Sequence, residues 1–192
     1  MEWFCLVLAA YLIGSLPLGL ILTQVIWKKD IRRFGSHNVG ATNAWRVIGR
    51  GAGLLVFFID FIKGQLGVLL GAYFFASPGA MAVGGLFAIL GAIFPITLGF
   101  KGGKGVATSL GVLIALMPKI TIVVVVVWLA IFLLTRYVSL ASIVAAALTP
   151  ILAALFKEPI FYFLVSLLLA VVVIFRHKEN IGRLRAGREN RM

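Results

Sequence analysis

Cysteine is nearly absent. Cys5 is the only one in 192 residues, and it lies in an apolar stretch. No intrachain disulfide is possible, and a catalytic thiol is not expected. Acidic groups are scarce too: six Asp and Glu stand against eighteen Lys and Arg, and Asp30 and Asp60 are the only aspartates. With just two histidines, His37 and His177, no cluster of His, Cys and carboxylates offers a metal site and no Ser-His-Asp set is apparent. The His-x4-Asp arrangement of acyltransferases is missing, because Thr42 and Gly182 stand five residues after the two histidines. No metal and no cofactor is expected. A Walker A loop is excluded: Lys104 is followed by Gly105 rather than by a hydroxyl, and the segment before it is a membrane span rather than a strand. No cleavable leader is expected, since the apolar stretch 1–26 is too long for an h-region and has no basic n-region.

What is present in excess is apolar surface. Hydrophobic residues make up 62% of the chain, against about 45–50% in an ordinary soluble domain. The fold class is therefore an all-α polytopic membrane protein, read as one domain over 1–192. About seven transmembrane helices are expected, at roughly 3–27, 51–75, 80–100, 106–117, 120–134, 137–156 and 159–175, the fourth being short. Pro17 should kink the first, 77–79 should be an uncharged turn, and Pro118 should end the fourth. Pairs such as Gly67/Gly71 and Gly84/Ala88/Ala92 suit close helix packing. The net charge of +12 does not point to nucleic acid, because the basic residues gather in loops and the tail, where anionic headgroups and orientation explain them. With seven spans, the basic loop 28–49, the turn 101–104, Arg136 and the tail 176–192 fall on one face. The positive-inside rule then puts the N-terminus outside and the C-terminus in the cytoplasm.

Four polar stretches interrupt the apolar ones. The stretch 101–109 reads KGGKGVATS, a glycine-rich basic turn running into an apolar helix. Gly102, Gly103 and Gly105 allow close backbone approach, the helix start offers N–H groups, and Lys101 and Lys104 add charge, a combination that binds phosphate. The plain alternative is a short basic loop between spans. In 35–46, GSHNVGATNAWR, two glycines, hydroxyls and amides precede a helix that carries Arg46. This is either a second anion cradle or a polar loop with a Thr42 or Asn43 helix cap. Arg136, Ser139 and Ser142 recur at i, i+3, i+6, on one face at the start of the sixth span. Serines in such helices commonly bond the carbonyl one turn back. In the tail, His177 and Asn180 share a helix face, and a histidine at the membrane boundary can titrate near neutral pH. Inside the second span, Asp60 and Lys63 at i, i+3 are expected to be a structural ion pair.

Taken together, these motifs resemble one family, the bacterial acyl-phosphate:glycerol-3-phosphate acyltransferases of the inner membrane. GSHNVGATNAWR resembles the family's GSxNxGATNxxR, KGGKGVAT matches its second motif, and HKENIGRLRAGRE resembles HxxNIxRLxxGxE. TRYVSLASI, around Ser139 and Ser142, is similar as well. His37 departs from the pattern, since the family most often has glycine there. The resemblance implies transfer of a fatty acyl group from acyl phosphate to the sn-1 hydroxyl of glycerol-3-phosphate, giving lysophosphatidic acid and phosphate as the first acylation of phospholipid synthesis. It implies catalytic roles for Arg46, Lys104, Ser142 and His177. Substrate binding would fall to Ser36, Asn38, Gly40, Thr42, Asn43, Gly102, Gly103, Gly105, Ser139 and Asn180, with Glu189 bracing Arg183 or another tail arginine. Partners would be the two substrates and membrane lipids, with no nucleic acid; the oligomeric state is left open, a monomer being plausible. The alternative from another class is a transporter of organic phosphates, but no inverted repeat is visible and the polar motifs crowd one face.

Overall fold

The computed structural model describes all 192 residues, which form helices and turns without a strand. The chain divides into two compact units, Met1–Val112 and Leu113–Met192. The first holds α1 (Glu2–Ser15), α2 (Leu18–Trp27), a 3-10 turn (Ile31–Arg33), α3 (Ala41–Val47), α4 (Arg50–Phe75), α5 (Pro78–Ile93), a second 3-10 turn (Ile96–Leu98) and the start of α6 (Val106–Leu116). The second holds α7 (Pro118–Thr135), α8 (Val138–Leu155), α9 (Ile160–Arg176) and α10 (Lys178–Arg185).

Five stretches are long and apolar enough to cross a membrane: Glu2–Trp27, Arg50–Phe75, Pro78–Leu98, Pro118–Thr135 and Val138–Leu155. The count reaches six if α9 and α10, bent by 57° at their join, are taken as one span. The expected fourth span is α6, only 11 residues, which at 1.5 Å per residue reaches about half of a ~30 Å hydrocarbon layer. Two prolines act differently from expectation. Pro118 stands at the start of α7 rather than merely ending α6, as its missing N–H allows. Pro78 likewise opens α5 behind a Ser77 cap, so 77–79 is a helix start. The third span stops being α-helical at Ile93, well short of residue 100.

Pro17 does more than kink the first span; it breaks it. Leu16 is extended (φ −66°, ψ 118°) and α2 restarts at Leu18. The carbonyls of Gly14, Ser15 and Leu16 thereby lose their partners four residues on. Lys63 Nζ reaches across from α4 and donates to Gly14 O (3.2 Å) and Leu16 O (3.1 Å). The Thr97 hydroxyl donates to Ser15 O. Lys63 is buried, and its third proton meets Asp60 Oδ1 at 2.8 Å. The expected ion pair thus forms, and its ammonium also caps the broken helix.

Small residues set the helix spacing in this unit. A Cβ on Gly67, Gly71 or Gly84 would strike the backbone of the facing helix of the α4/α5 pair, as the GxxxG-like spacing predicts. Two further contacts of this kind were not anticipated. Gly64 faces the Thr108 carbonyl, and Gly111 faces that of Phe61, so α6 packs tightly on α4. In the second unit α8 packs between α7 and α9, and α10 meets both α8 and α9.

Candidate active site

The polar loop after α2 is anchored from beneath by apolar side chains. Ile31 and Ala44 are fully buried with Leu20, Ala52 and Val56, and Val39, Ala41, Val47, Ile48 and Leu98 pack against them. Above that floor, Asn43 ties the loop together. Its amide donates to the carbonyls of Ile31 (2.8 Å), Asn38 (2.8 Å) and Phe34 (3.2 Å), and its Oδ1 accepts from the Ser36 N–H (2.9 Å). Asn43 is 1% exposed. It therefore shapes the loop rather than capping α3, whose N-cap is Gly40 with no side-chain bond; Thr42 lies in the helix's first turn. Asn38 closes a tight turn by accepting from the Gly40 N–H at 2.9 Å. His37, at φ 56°, adopts a left-handed conformation, which glycine takes at least cost. Its Nδ1 lies 3.0 Å from the Arg32 carbonyl. The loop's entry is fixed by Asp30, whose carboxylate takes both Nη2 (2.8 Å) and Nε (3.0 Å) of Arg32. That bonding holds the Asp30 pKa at about 2.

The 101–105 turn lies against this loop. A Cβ on Gly103 would touch Asn38 Oδ1 and Val39 Cγ2 at 3.8 Å each. Two of the motifs are thus neighbours within the first unit. The turn folds back onto α5: the N–H groups of Gly102 and Gly103 donate to the carbonyls of Ile93 and Ala92, each at 3.2 Å. Those two N–H groups are therefore engaged within the fold. The glycines serve by allowing close approach, since a Cβ on Gly102 would meet Ala92 O and Pro95. Gly105, at φ 75°, turns the chain into α6, whose first-turn N–H groups have no partners within the helix. Lys104 and Arg46 are both half-buried.

In the second unit the polar residues gather around Glu189. Its Oε1 accepts from Ser139 Oγ (2.8 Å) and Asn180 Nδ2 (2.6 Å), and its Oε2 from Arg183 Nε (2.7 Å). Burial pushes the carboxyl pKa up, but the hydrogen bonds from Asn180, Arg183 and Ser139 and the Arg183 charge outweigh it, so the net direction is down. The sequence pairing of Glu189 with Arg183 holds; that Ser139 and Asn180 share the carboxylate was not foreseen. Ser142 is buried and its Oγ lies 3.1 Å from Trp128 Nε1. Arg136 does not share a helix face with the two serines, because it caps α7 in a left-handed conformation (φ 62°) before α8 begins. His177 marks the bend between α9 and α10 and is buried. Its Nδ1 lies 2.7 Å from Val173 O. A carbonyl only accepts, so Nδ1 carries the proton in that bond.

These features define a polytopic helical membrane protein with two adjoining glycine-rich segments and, in its second unit, a buried Glu189 carboxylate that gathers Ser139, Asn180 and Arg183. The chain belongs to the glycerol-3-phosphate acyltransferase family, whose model matches residues 4–187. It is 42% identical over 192 residues to the glycerol-3-phosphate acyltransferase of Syntrophomonas wolfei, covering 98% of this chain and 96% of the relative. It is equally similar, at 42% with full coverage of both chains, to that of Aquifex aeolicus. Two crystal structures of PlsY, an integral membrane glycerol 3-phosphate acyltransferase, superpose closely. The glycerol 3-phosphate form has a TM-score of 0.94, and the lysophosphatidic acid form 0.91. Both are 41% identical to this chain and cover 100% of it and 96% of their own length. This membership sets the transporter alternative aside.

Proposed function

We propose that this protein transfers a fatty acyl group from acyl phosphate to the sn-1 hydroxyl of glycerol-3-phosphate at the cytoplasmic face of a bacterial inner membrane. The observation that carries the reading is the pair of solved relatives, similar to this chain along its whole length, described in a glycerol 3-phosphate form and a lysophosphatidic acid form. These are the acceptor and the product of one acyl transfer. The acyl phosphate donor rests on the motif resemblance and on chemistry. A mixed carboxylic–phosphoric anhydride is already activated, so attack needs no covalent enzyme intermediate. The acceptor hydroxyl oxygen bonds to the acyl carbon, the carbon–oxygen bond to phosphate breaks, and phosphate leaves with the electron pair.

Residues take roles consistent with their surroundings. Ser36, Asn38, Gly40 and Thr42, in a loop shaped by Asn43, cradle the acyl-phosphate headgroup together with the turn at Gly102, Gly103 and Gly105. Arg46 and Lys104 neutralise the departing phosphate. Ser142, His177 and Asn180 position glycerol-3-phosphate, with Ser139 and Glu189 fixing Asn180. On this reading both units serve one 1–192 acyltransferase. His177 Nε2, or an oxygen of the substrate phosphate, takes the hydroxyl proton. The test is turnover by purified protein in detergent or nanodiscs. Acyl phosphate with glycerol-3-phosphate should yield equal amounts of lysophosphatidic acid and inorganic phosphate. Product formed only from acyl-CoA or an acyl-carrier thioester would overturn the donor assignment.

A further inference from the structure

A hydroxyl in a membrane helix usually bonds the carbonyl about one turn back in its own helix. This chain follows the habit repeatedly. Thr23 donates to Leu20 O, Thr121 to Met117 O, Thr135 to Ile131 O, Thr149 to Ala145 O and Ser166 to Phe163 O. Ser142 breaks it. It is 3% exposed on α8, and the hydrogen bond it makes is to Nε1 of Trp128 on α7, at 3.1 Å. An indole N–H can only donate, so Ser142 Oγ is the acceptor. A hydroxyl that accepts one bond and makes none to its own helix keeps its O–H to give, and accepting strengthens it as a donor. Trp128 is itself held in place, its ring stacked on Phe132 with centroids 5.2 Å apart and planes 23° from parallel. A leucine or phenylalanine at 128 would fill the same apolar space, but neither would supply the N–H.

We propose that Trp128 is a positioning residue for acyl transfer: its indole N–H holds the Ser142 hydroxyl away from its own helix, leaving the O–H to donate to an oxygen of glycerol-3-phosphate. The inference rests on the reading above, in which Ser142 meets that substrate. Trp128 touches no substrate in this scheme and acts through Ser142.

The test is a double-mutant cycle on purified protein, with the thermal melting of each variant measured alongside. Trp128→Phe keeps the stacked ring and removes the donor. It should raise KM for glycerol-3-phosphate by ~3- to 10-fold, the range of one net hydrogen bond, while kcat and KM for acyl phosphate stay within about twofold. In a Ser142→Ala background the same substitution should add nothing. An equal Trp128→Phe effect in both backgrounds would overturn the role of Trp128 and leave the proposed function intact. Wild-type protein that forms no lysophosphatidic acid, or a fully active Ser142→Ala, would defeat the functional reading of Ser142 and this proposal with it. A variant-free check uses indole ¹⁵N–H resonances in nanodiscs. Glycerol-3-phosphate should shift the Trp128 signal and leave those of Trp3 and Trp27 in place; an unmoved Trp128 signal overturns the proposal.

Discussion

Glu189 gathers three donors, one from α8 and two from α10, onto one buried carboxylate. Its folded pKa is lowered, so its contribution to stability is fully present above the unfolded carboxylate value and is lost as pH falls through the folded one. Acidification below about pH 4 should therefore loosen the tail before the first unit responds, seen as early deuterium uptake in 178–192. Glu189→Gln removes the charge that Arg183 faces. It should cost on the order of 1–3 kcal/mol in a melting experiment and flatten that acid transition. His177 allows a second prediction at this scale. With Nδ1–H engaged by Val173 O, the ring either accepts a proton at Nε2 or, once protonated, binds phosphate. A substrate phosphate favours the protonated form, so His177→Gln should raise KM for glycerol-3-phosphate more than it lowers kcat. A kcat loss of ~10²–10⁴ at unchanged KM would make it the general base instead. In the tail motif the pairing of Glu189 with Arg183 was legible, and it forms. Asn43 was read as a helix cap or a substrate ligand, not as the tie of its loop. Nothing in a string of letters shows that one amide will serve Ile31, Phe34 and Asn38 at once. Trp128 read as one more apolar residue in a valine-rich run.

Helix boundaries follow local rules and were mostly legible. Hydropathy located α4, α7, α8 and α9 to within a few residues. That α6 ends before Pro118 was legible; that Pro118 also opens α7 was not, because the same missing N–H that stops one helix suits the first turn of the next. The break at Pro17 was underestimated for a related reason: a full break is tolerable only if other elements satisfy the freed carbonyls, and those elements lie 47 to 82 residues away. Asp60→Asn tests this arrangement. It leaves the Lys63 ammonium without its counter-charge and should cost ~3–5 kcal/mol of stability, visible as a lower melting temperature in detergent. The broken α1/α2 join should gain deuterium exchange along with α4. A variant that melts normally yet is inactive would move Asp60 from scaffold to chemistry.

For the molecule as a whole, the basic segments 28–49, 101–104 and 176–192 are expected on the cytoplasmic face. A cytoplasm-dependent fluorescent reporter fused after Met192 should be active, and an exported phosphatase at the same point silent; the reverse result would invert the assigned orientation. Class and family were legible from composition and three motifs. The span count was less so, because α6 owes its place to close contact with α4 through Gly64 and Gly111 rather than to length. The Lys63 clasp also bears on how the chain is made. When the first apolar stretch leaves the ribosome, the groups that will satisfy Gly14, Ser15 and Leu16 have not been synthesised. Each bare carbonyl is disfavoured in hydrocarbon by several kcal/mol. Membrane entry of this segment cannot then be completed one helix at a time: its amino-terminal half must wait in a watery or protein-lined setting until Lys63, and then Thr97, emerge. Biogenesis of the first three spans becomes a single cooperative event, and nascent chains cut before residue 97 should remain accessible to aqueous thiol reagents at a cysteine placed at position 15.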